Sequence, residues 1–339
     1  MTLPDTMTAL VLREDGYASG SAGDMPTDLS EFVSLSTLPV PQPREGQALI
    51  KVTRAAVNPS DLMFVSGQYG QPRKAGMPAG FEGVGEVVAG DTPLLGQRVS
   101  FFGMGWGTWA EYAMADARMM IPLRPDLRDE DAAGLIVNPM TAMAMFDIVR
   151  ADGAGAFLFT AGGSQLGKFM IGLAKDAGIA AIPVVRRAEQ AEALKALGAA
   201  DVLVSSAPDF AVRAKAVMAE HKPRILLDAV ADQVAADLFF AMPRGARWVC
   251  YGRLATTPPR LDQMGQFIFM GKRIEGFWLS SWMRETAPEK VAALVGEVQG
   301  RFASGAWHTD VSEVLPLSEA LDRFPAALAA KDAKVLIAP

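Results

Sequence analysis

The segment Ala161-Gly162-Gly163-Ser164-Gln165-Leu166-Gly167 joins a short apolar run, Phe157-Leu158-Phe159, to a stretch with apolar residues at helical spacing that stops at Gly178. This order reads as strand, tight turn and helix. Small side chains let a phosphate approach the backbone, and the N–H groups of the opening helical turn supply the partial positive charge that holds it, so the segment reads as a pyrophosphate site. Its spacing, Ala161-x-x-Ser164-x-x-Gly167, departs from G-x-G-x-x-G, and a glycine-rich turn alone has little specificity. The next apolar run, Ala180-Ala181-Ile182-Pro183-Val184-Val185, reads as a second parallel strand. It ends in Arg186-Arg187, about 20 residues past the turn, where an NAD-binding fold places an Asp or Glu on the ribose hydroxyls. Two guanidiniums there either meet the 2′-phosphate of NADP(H) or form a solvated pair at a strand end.

Few other residues offer chemistry. Cys250 is the single cysteine and His221 and His308 are the only histidines, so neither an internal disulfide nor a four-ligand structural zinc can be built, and hydride chemistry would run without zinc. Cys250 lies in the apolar run Arg247-Trp248-Val249-Cys250-Tyr251 and reads as core rather than nucleophile. His308 has no sequence partner for a nucleophile triad and reads as surface.

The elements that must position these groups divide in two. A chain of 339 residues is long for one core. Half of it is hydrophobic and the net charge is −6, which fits an acidic globule without the basic footprint of a nucleic-acid binder. The apolar runs are broken by Gly, Pro or charge before they reach membrane-spanning length, and Met1-Thr2-Leu3-Pro4-Asp5 lacks the charged-then-apolar order of a signal peptide; the expected location is cytoplasmic. Residues 7–14 and 32–57 read as strands of an antiparallel, barrel-like domain, continued by 80–88, 98–102 and 107–112. Pro59 excludes Asn58 from helical geometry and can start a helix at Ser60-Asp61-Leu62, leaving Gly67-Gln68-Tyr69-Gly70 as an exposed loop of the kind that carries sites. An acid-capped helix start at Asp129-Glu130-Asp131 places a domain boundary near 126.

From 156 onward strand and helix alternate, the pattern of a doubly wound parallel sheet. Ligands in such sheets lie at the carboxyl ends of the strands, which turns attention to Asp228 and to Tyr251-Gly252-Arg253-Leu254; Asp228 could instead cap the helix after it. The aromatic segment Phe277-Trp278-Leu279 with Trp282 reads as a strand lining a pocket, a core or a subunit interface. The strand-like tail, 311–317 and 334–337, with a helix at 318–330 between, returns to the first domain. The expected division is 1–126 plus 305–339 for the barrel domain and 127–304 for the dinucleotide domain.

Four motifs in order, Val57-Asn58-Pro59-Ser60-Asp61, Gly80-Phe81-Glu82-Gly83-Val84-Gly85, Asn138-Pro139-Met140-Thr141-Ala142 and the 161–167 turn, resemble the medium-chain dehydrogenase/reductase superfamily over nearly the whole chain. The resemblance implies an α/β protein with a GroES-like catalytic barrel and a Rossmann cofactor domain. The zinc-dependent branch has Cys at the Asn58 position and His at the Phe81 position, so the chain is similar to the zinc-free quinone oxidoreductase and enoyl reductase branch. The Asn58 to Gly70 region and Gly276-Phe277-Trp278-Leu279-Ser280-Ser281-Trp282 resemble mitochondrial-type trans-2-enoyl-thioester reductases. There the tyrosine matching Tyr69 is the proposed proton donor. The turn departs from that family's Asn-Ser-Gly-Val, and Gly80-Phe81-Glu82 is closer to the quinone reductases.

By the same resemblance NADPH is the cofactor, and Asn138, Gly163, Ser164, Gln165, Leu166, Arg186, Arg187, Tyr251, Gly252, Arg253, Leu254, Phe277, Trp278, Leu279 and Lys334 match cofactor-contacting positions. Asn58 either orients the nicotinamide ribose or is a turn residue before Pro59. Thr141 either contacts the nicotinamide or satisfies a helix carbonyl. The implied reaction is hydride transfer to an α,β-unsaturated carbonyl, with Tyr69 protonating the α-carbon; quinone reduction on the same cofactor site and an inactive NADPH-binding protein are the alternatives. The partner set is a small-molecule substrate and a second copy of the chain, paired through the 272–279 strand, with no nucleic acid and no membrane.

Overall fold

The long strand β3 (Gln47–Val57) organises the first half of the molecule, a computed structural model that describes residues 3–19, 23–103, 105–329 and 333–339. The first two residues of Met1–Asp5 and the last of the expected 318–330 helix lie outside these. Before β3 come β1 (Thr6–Leu12) and β2 (Val33–Pro39), an antiparallel pair. After it come α1 (Pro59–Val65), β4 (Glu82–Gly90), β5 (Arg98–Phe102), β6 (Tyr112–Asp116), β7 (Met120–Pro122) and α2 (Asp129–Ala133). Residues 107–111, expected as strand, form only an isolated antiparallel bridge, Ala110 to Ala9, flanked by bends that deliver Trp109 to the core, where it is fully buried and donates to the Ala56 carbonyl at 3.0 Å. Burying a large apolar side chain of this kind contributes roughly 1.5–3 kcal/mol.

The second half begins with α3 (Val137–Asp152) and alternates: β8 (Ala156–Phe159), α4 (Gln165–Ala177), β9 (Ala180–Val185), α5 (Ala191–Leu197), β10 (Leu203–Val204), α6 (Phe210–His221), β11 (Ile225–Asp228), α7 (Gln233–Ala241), β12 (Arg247–Cys250), α8 (Gly265–Met270), β13 (Arg273–Gly276) and α9 (Leu279–Glu285). These strands form one sheet in the order β10-β9-β8-β11-β12-β13, with every pair parallel. The order reverses between β8 and β11, which is where a doubly wound sheet binds its ligand. The chain then continues through α10 (Pro288–Ala303), β14 (Val311–Pro316), α11 (Ala320–Ala327) and β15 (Lys334–Ala338). β15 pairs with β3, so the tail completes the first sheet, β14-β15-β3-β4-β5-β7, with β6 also on β3. The two compact units are Met1–Val137 with Val295–Pro339, and Asn138–Leu294.

Two expectations need correction. The aromatic segment is not one strand: β13 ends at Gly276, Trp278 precedes α9, and Trp282 lies within that helix. Asp228 neither caps α7 nor reaches solvent. Asp232 is that cap, accepting from Ala235 N–H at 3.0 Å. Asp228 is fully buried and accepts from Thr160 Oγ1, from the N–H groups of Val230 (2.9 Å) and Ala231 (3.0 Å), and from Trp248 Nε1 (2.8 Å). Four donors on one carboxylate satisfy a charge that would otherwise be costly to bury, and they tie together the ends of β8, β11 and β12.

Candidate active site

Asn58 precedes α1 with φ −105° and ψ 156°, the extended geometry that Pro59 imposes. Its backbone N–H donates to Asp61 Oδ2 at 2.7 Å, the reciprocal half of a capping box. Its side-chain Nδ2 donates to Glu82 Oε1 at 2.8 Å, and its Oδ1 accepts from the Lys334 ammonium. Glu82 Oε2 accepts in turn from Ile136 N–H at 3.0 Å and Val137 N–H at 2.8 Å, the backbone that opens α3. Asn58, Asp61, Glu82 and Lys334 are all buried. Burial pushes both carboxyls up, Asp61 to about 7, and pushes the Lys334 ammonium down, while the opposite charges of Lys334 and the two acids work against those shifts.

Tyr69 lies half-buried in the loop after α1, its ring 5.1 Å from that of Phe81. Phe64 and Phe102 flank the same Phe81 ring at 5.0 and 5.8 Å, so an aromatic wall carries the phenol. Buried Arg73 fastens the loop, with Nη1 on the Val65 carbonyl at 3.1 Å and Nε on the Gly16 carbonyl at 3.2 Å. Gly67 has φ +75°, and a Cβ there would fall 2.6 Å from Ala18 N, so a side chain at this position would displace the loop.

In the other unit, the 161–167 turn leaves the carboxyl end of β8 and opens α4. Ser164 is the helix cap, its Oγ accepting from Gly167 N–H at 3.1 Å. A Cβ on Gly163 would lie 2.3 Å from the Gln190 amide nitrogen, and one on Gly167 would lie 2.4 Å from the Gly162 carbonyl oxygen. The Gly163 contact is with the movable end of a side chain, whereas at Gly167 the helix packs directly on the backbone of the turn, the close helix-to-turn packing of a dinucleotide-binding motif. Gly162 N–H donates to the Val184 carbonyl at 3.1 Å, which fixes the turn against the end of β9, from which Arg186 and Arg187 follow directly. Tyr251, Gly252, Arg253 and Leu254 leave the end of β12. Gly252 N–H donates to the Asp228 carbonyl at 3.3 Å and Leu254 N–H to the Ala229 carbonyl at 3.1 Å. Phe277 and Trp278 leave the end of β13, with Phe277 N–H on the Cys250 carbonyl at 2.8 Å and Leu279 starting α9. These residues thus stand at the carboxyl ends of successive parallel strands, the edge at which a dinucleotide lies across such a sheet. Asn138 and buried Thr141 lie in the first turns of α3. Burial and the Asp228 charge push the Cys250 thiol up to about 12, which keeps it protonated and unreactive.

Sequence reasoning missed Glu82 and Asp61 as members of the site, and Arg73 as the anchor of the Tyr69 loop. The available signal was a carboxylate inside the glycine-studded 80–85 segment, where a residue buried on a strand needs partners.

The barrel matches the alcohol dehydrogenase GroES-like domain family over residues 44–125, and the Rossmann half matches the zinc-binding dehydrogenase family over residues 166–297. Zinc does not fit this chain. Asn58 and Phe81 offer an amide and a phenyl ring, and among the described residues no three His, Cys, Asp or Glu side chains converge to hold a metal. A Mesorhizobium loti protein provisionally named an NADPH:quinone reductase is 49% identical, with a TM-score of 0.96 and full coverage of both chains. The human mitochondrial enoyl-[acyl-carrier-protein] reductase is 28% identical over 79% of this chain and 74% of its own. The fold recurs in the Candida tropicalis 2-enoyl thioester reductase heterodimer Etr1p/Etr2p and in the Etr1p/NADP/crotonyl-CoA complex, each 19% identical with a TM-score of 0.80 over 98% of this chain and 100% of the other. By its two family domains and its full-length relative, the chain belongs to the medium-chain dehydrogenase/reductase superfamily.

Proposed function

We infer that this protein is an NADPH-dependent reductase of activated C=C bonds, taking 2-enoyl thioesters or enones and working without zinc. The observation that carries the reading is the Tyr69 phenol, held on the Phe81 ring in the same unit as the buried Asn58–Lys334 pair. Bound NADPH supplies the hydride that the substrate's β-carbon accepts. Charge then develops on the substrate carbonyl oxygen as an enolate, which preorganised donors in a dry site stabilise. Tyr69 donates its proton to the α-carbon. A phenol with a pKa near ~10 is protonated at neutral pH and needs no tuning for this step. Asn58 and Lys334 orient the nicotinamide ribose, the 161–167 turn holds the pyrophosphate, and Arg186 and Arg187 take the 2′-phosphate. In this division of labour residues 1–126 and 305–339 carry the substrate and lend Asn58 and Lys334 to the cofactor, and residues 127–304 carry the rest of the cofactor site.

Names of relatives support the chemistry from two sides, enoyl reductase and quinone reductase. Quinone reduction is the second reading. The aromatic wall of Phe64, Tyr69, Phe81 and Phe102 suits a flat conjugated ring, and the 49% identical relative is named for quinone. Following NADPH absorbance with a short trans-2-enoyl-CoA, a simple enone and a simple quinone, each repeated with NADH, tests the proposal. Turnover of an enoyl or enone substrate with NADPH supports it; turnover of none of the three leaves only a binding protein.

A homodimer completes the proposal. β13 is an edge strand of the parallel sheet, and beside it Ile268 and Phe269 are 74% and 72% exposed. An apolar patch next to an unpaired edge suits a second copy of the same chain. Native mass spectrometry is expected to show a dimer, and Phe269→Glu to shift it to monomer. The lone unpaired cysteine suits a reducing compartment such as the cytoplasm, and no helix among the described residues is long and apolar enough to cross a membrane.

A further inference from the structure

Among the described residues Glu82 accepts from three N–H donors: Asn58 Nδ2 at one oxygen, Ile136 and Val137 N–H at the other. A proton on this carboxyl would find no acceptor among them, so the arrangement requires the anion. Asn58 is engaged at both ends of its amide, by Glu82 and by Lys334, and only one of its two amide orientations satisfies both neighbours. Asp61, the second acid of the cluster, is tied to the Asn58 backbone rather than to its side chain.

We propose that Glu82 is the positioning residue of the cofactor site: it sets the Asn58 amide, and through it the Lys334 ammonium, while holding the backbone at the start of α3. The inference rests on the reading that Asn58 and Lys334 face NADPH. Glu82 itself reaches the cofactor only through them.

The test is a rescue. In Glu82→Gln the Gln oxygen can accept from Ile136 and Val137, but its NH₂ then faces Asn58 Nδ2, and turning Asn58 over points NH₂ at the ammonium. In the double variant Asn58→Asp/Glu82→Gln the pattern closes again: the Gln NH₂ donates to one Asp oxygen and Lys334 to the other. NADPH affinity is measured by fluorescence titration, with the melting temperature of each variant alongside. Glu82→Gln is expected to weaken NADPH about tenfold, a coupling of ordinary size for directly bonded residues. The double variant is expected to recover to within about threefold of the parent. Wild-type affinity in Glu82→Gln overturns the proposal, as does a double variant that melts like the parent yet binds as poorly as the single one. If Glu82→Gln does not fold, the double variant decides alone against the same threefold limit. Lys334→Met separates the two layers. If it leaves NADPH binding unchanged, the reading of Lys334 as a cofactor contact fails; if it weakens binding while Glu82→Gln does not, only the role of Glu82 fails.

Discussion

The side-chain amide of Asn58 donates to the Glu82 carboxylate across 2.8 Å, both residues buried. Asn58 holds the position at which the zinc-dependent branch of the superfamily, unlike the zinc-free branch the sequence resembles, has a Cys, and a hydrogen-bonded cluster of one amide, two acids and one ammonium occupies the place.

The cluster makes stability depend on pH through Asp61. Burial holds its carboxyl up at about 7, against an ordinary value of 3.8. A carboxyl raised on folding contributes its stability below the unfolded value, and that contribution is lost as pH rises through the folded value. The window is therefore from about pH 4 to pH 7. Asp61→Asn keeps an acceptor for Asn58 N–H and removes the titration. Its melting temperature is expected to track wild type near the bottom of the window and to exceed it by several degrees at pH 8. Thermal melts across this range check it, and parallel curves for the two proteins would contradict it.

Cofactor choice is expected to follow Arg186 and Arg187, at the end of β9. On the proposed reading, replacing both with Ala removes charge-assisted contacts to a 2′-phosphate and leaves the rest of the dinucleotide cradle intact. The ratio of kcat/KM for NADPH to that for NADH is expected to fall by about 10–100-fold, mostly through KM for NADPH. An unchanged ratio would show that the pair is solvated and discriminates nothing.

Gly167 is expected to tolerate no side chain. The Cβ of Ala would sit 2.4 Å from the Gly162 carbonyl oxygen, so helix α4 or the turn must move. Gly167→Ala is expected to cost about 1–3 kcal/mol and to weaken NADPH with it. Denaturant unfolding and NADPH titration measure the two effects, and wild-type values in both would rule out the close helix-to-turn packing.

Much of this architecture is legible in the residues themselves. The strand–turn–helix around Ser164 follows from local periodicity and capping, and Pro59 alone dictates the backbone of Asn58. What escapes a sequence reading is set by tertiary contact. Glu82 gains its meaning from Ile136 and Val137, more than fifty residues later. Asp228 at a strand end suggests a ligand or a cap, but Trp248 and Thr160 enclose it, and neither is adjacent in sequence. Trp282 reads as strand because aromatic residues favour strands; its segment folds as a helix instead, tertiary context overriding a weak local preference.

The most direct measurement compares wild type and Tyr69→Phe in NADPH-dependent reduction of a trans-2-enoyl-CoA and of a quinone. The phenyl ring preserves the packing on Phe81 and removes the hydroxyl that carries the proton. General acid help is typically worth about 10²–10⁴-fold, so enoyl reduction is expected to fall by that order while quinone reduction, which needs no α-carbon proton, stays near wild type. Equal rates of enoyl reduction in the two proteins would make Tyr69 a packing residue and contradict the proposed mechanism.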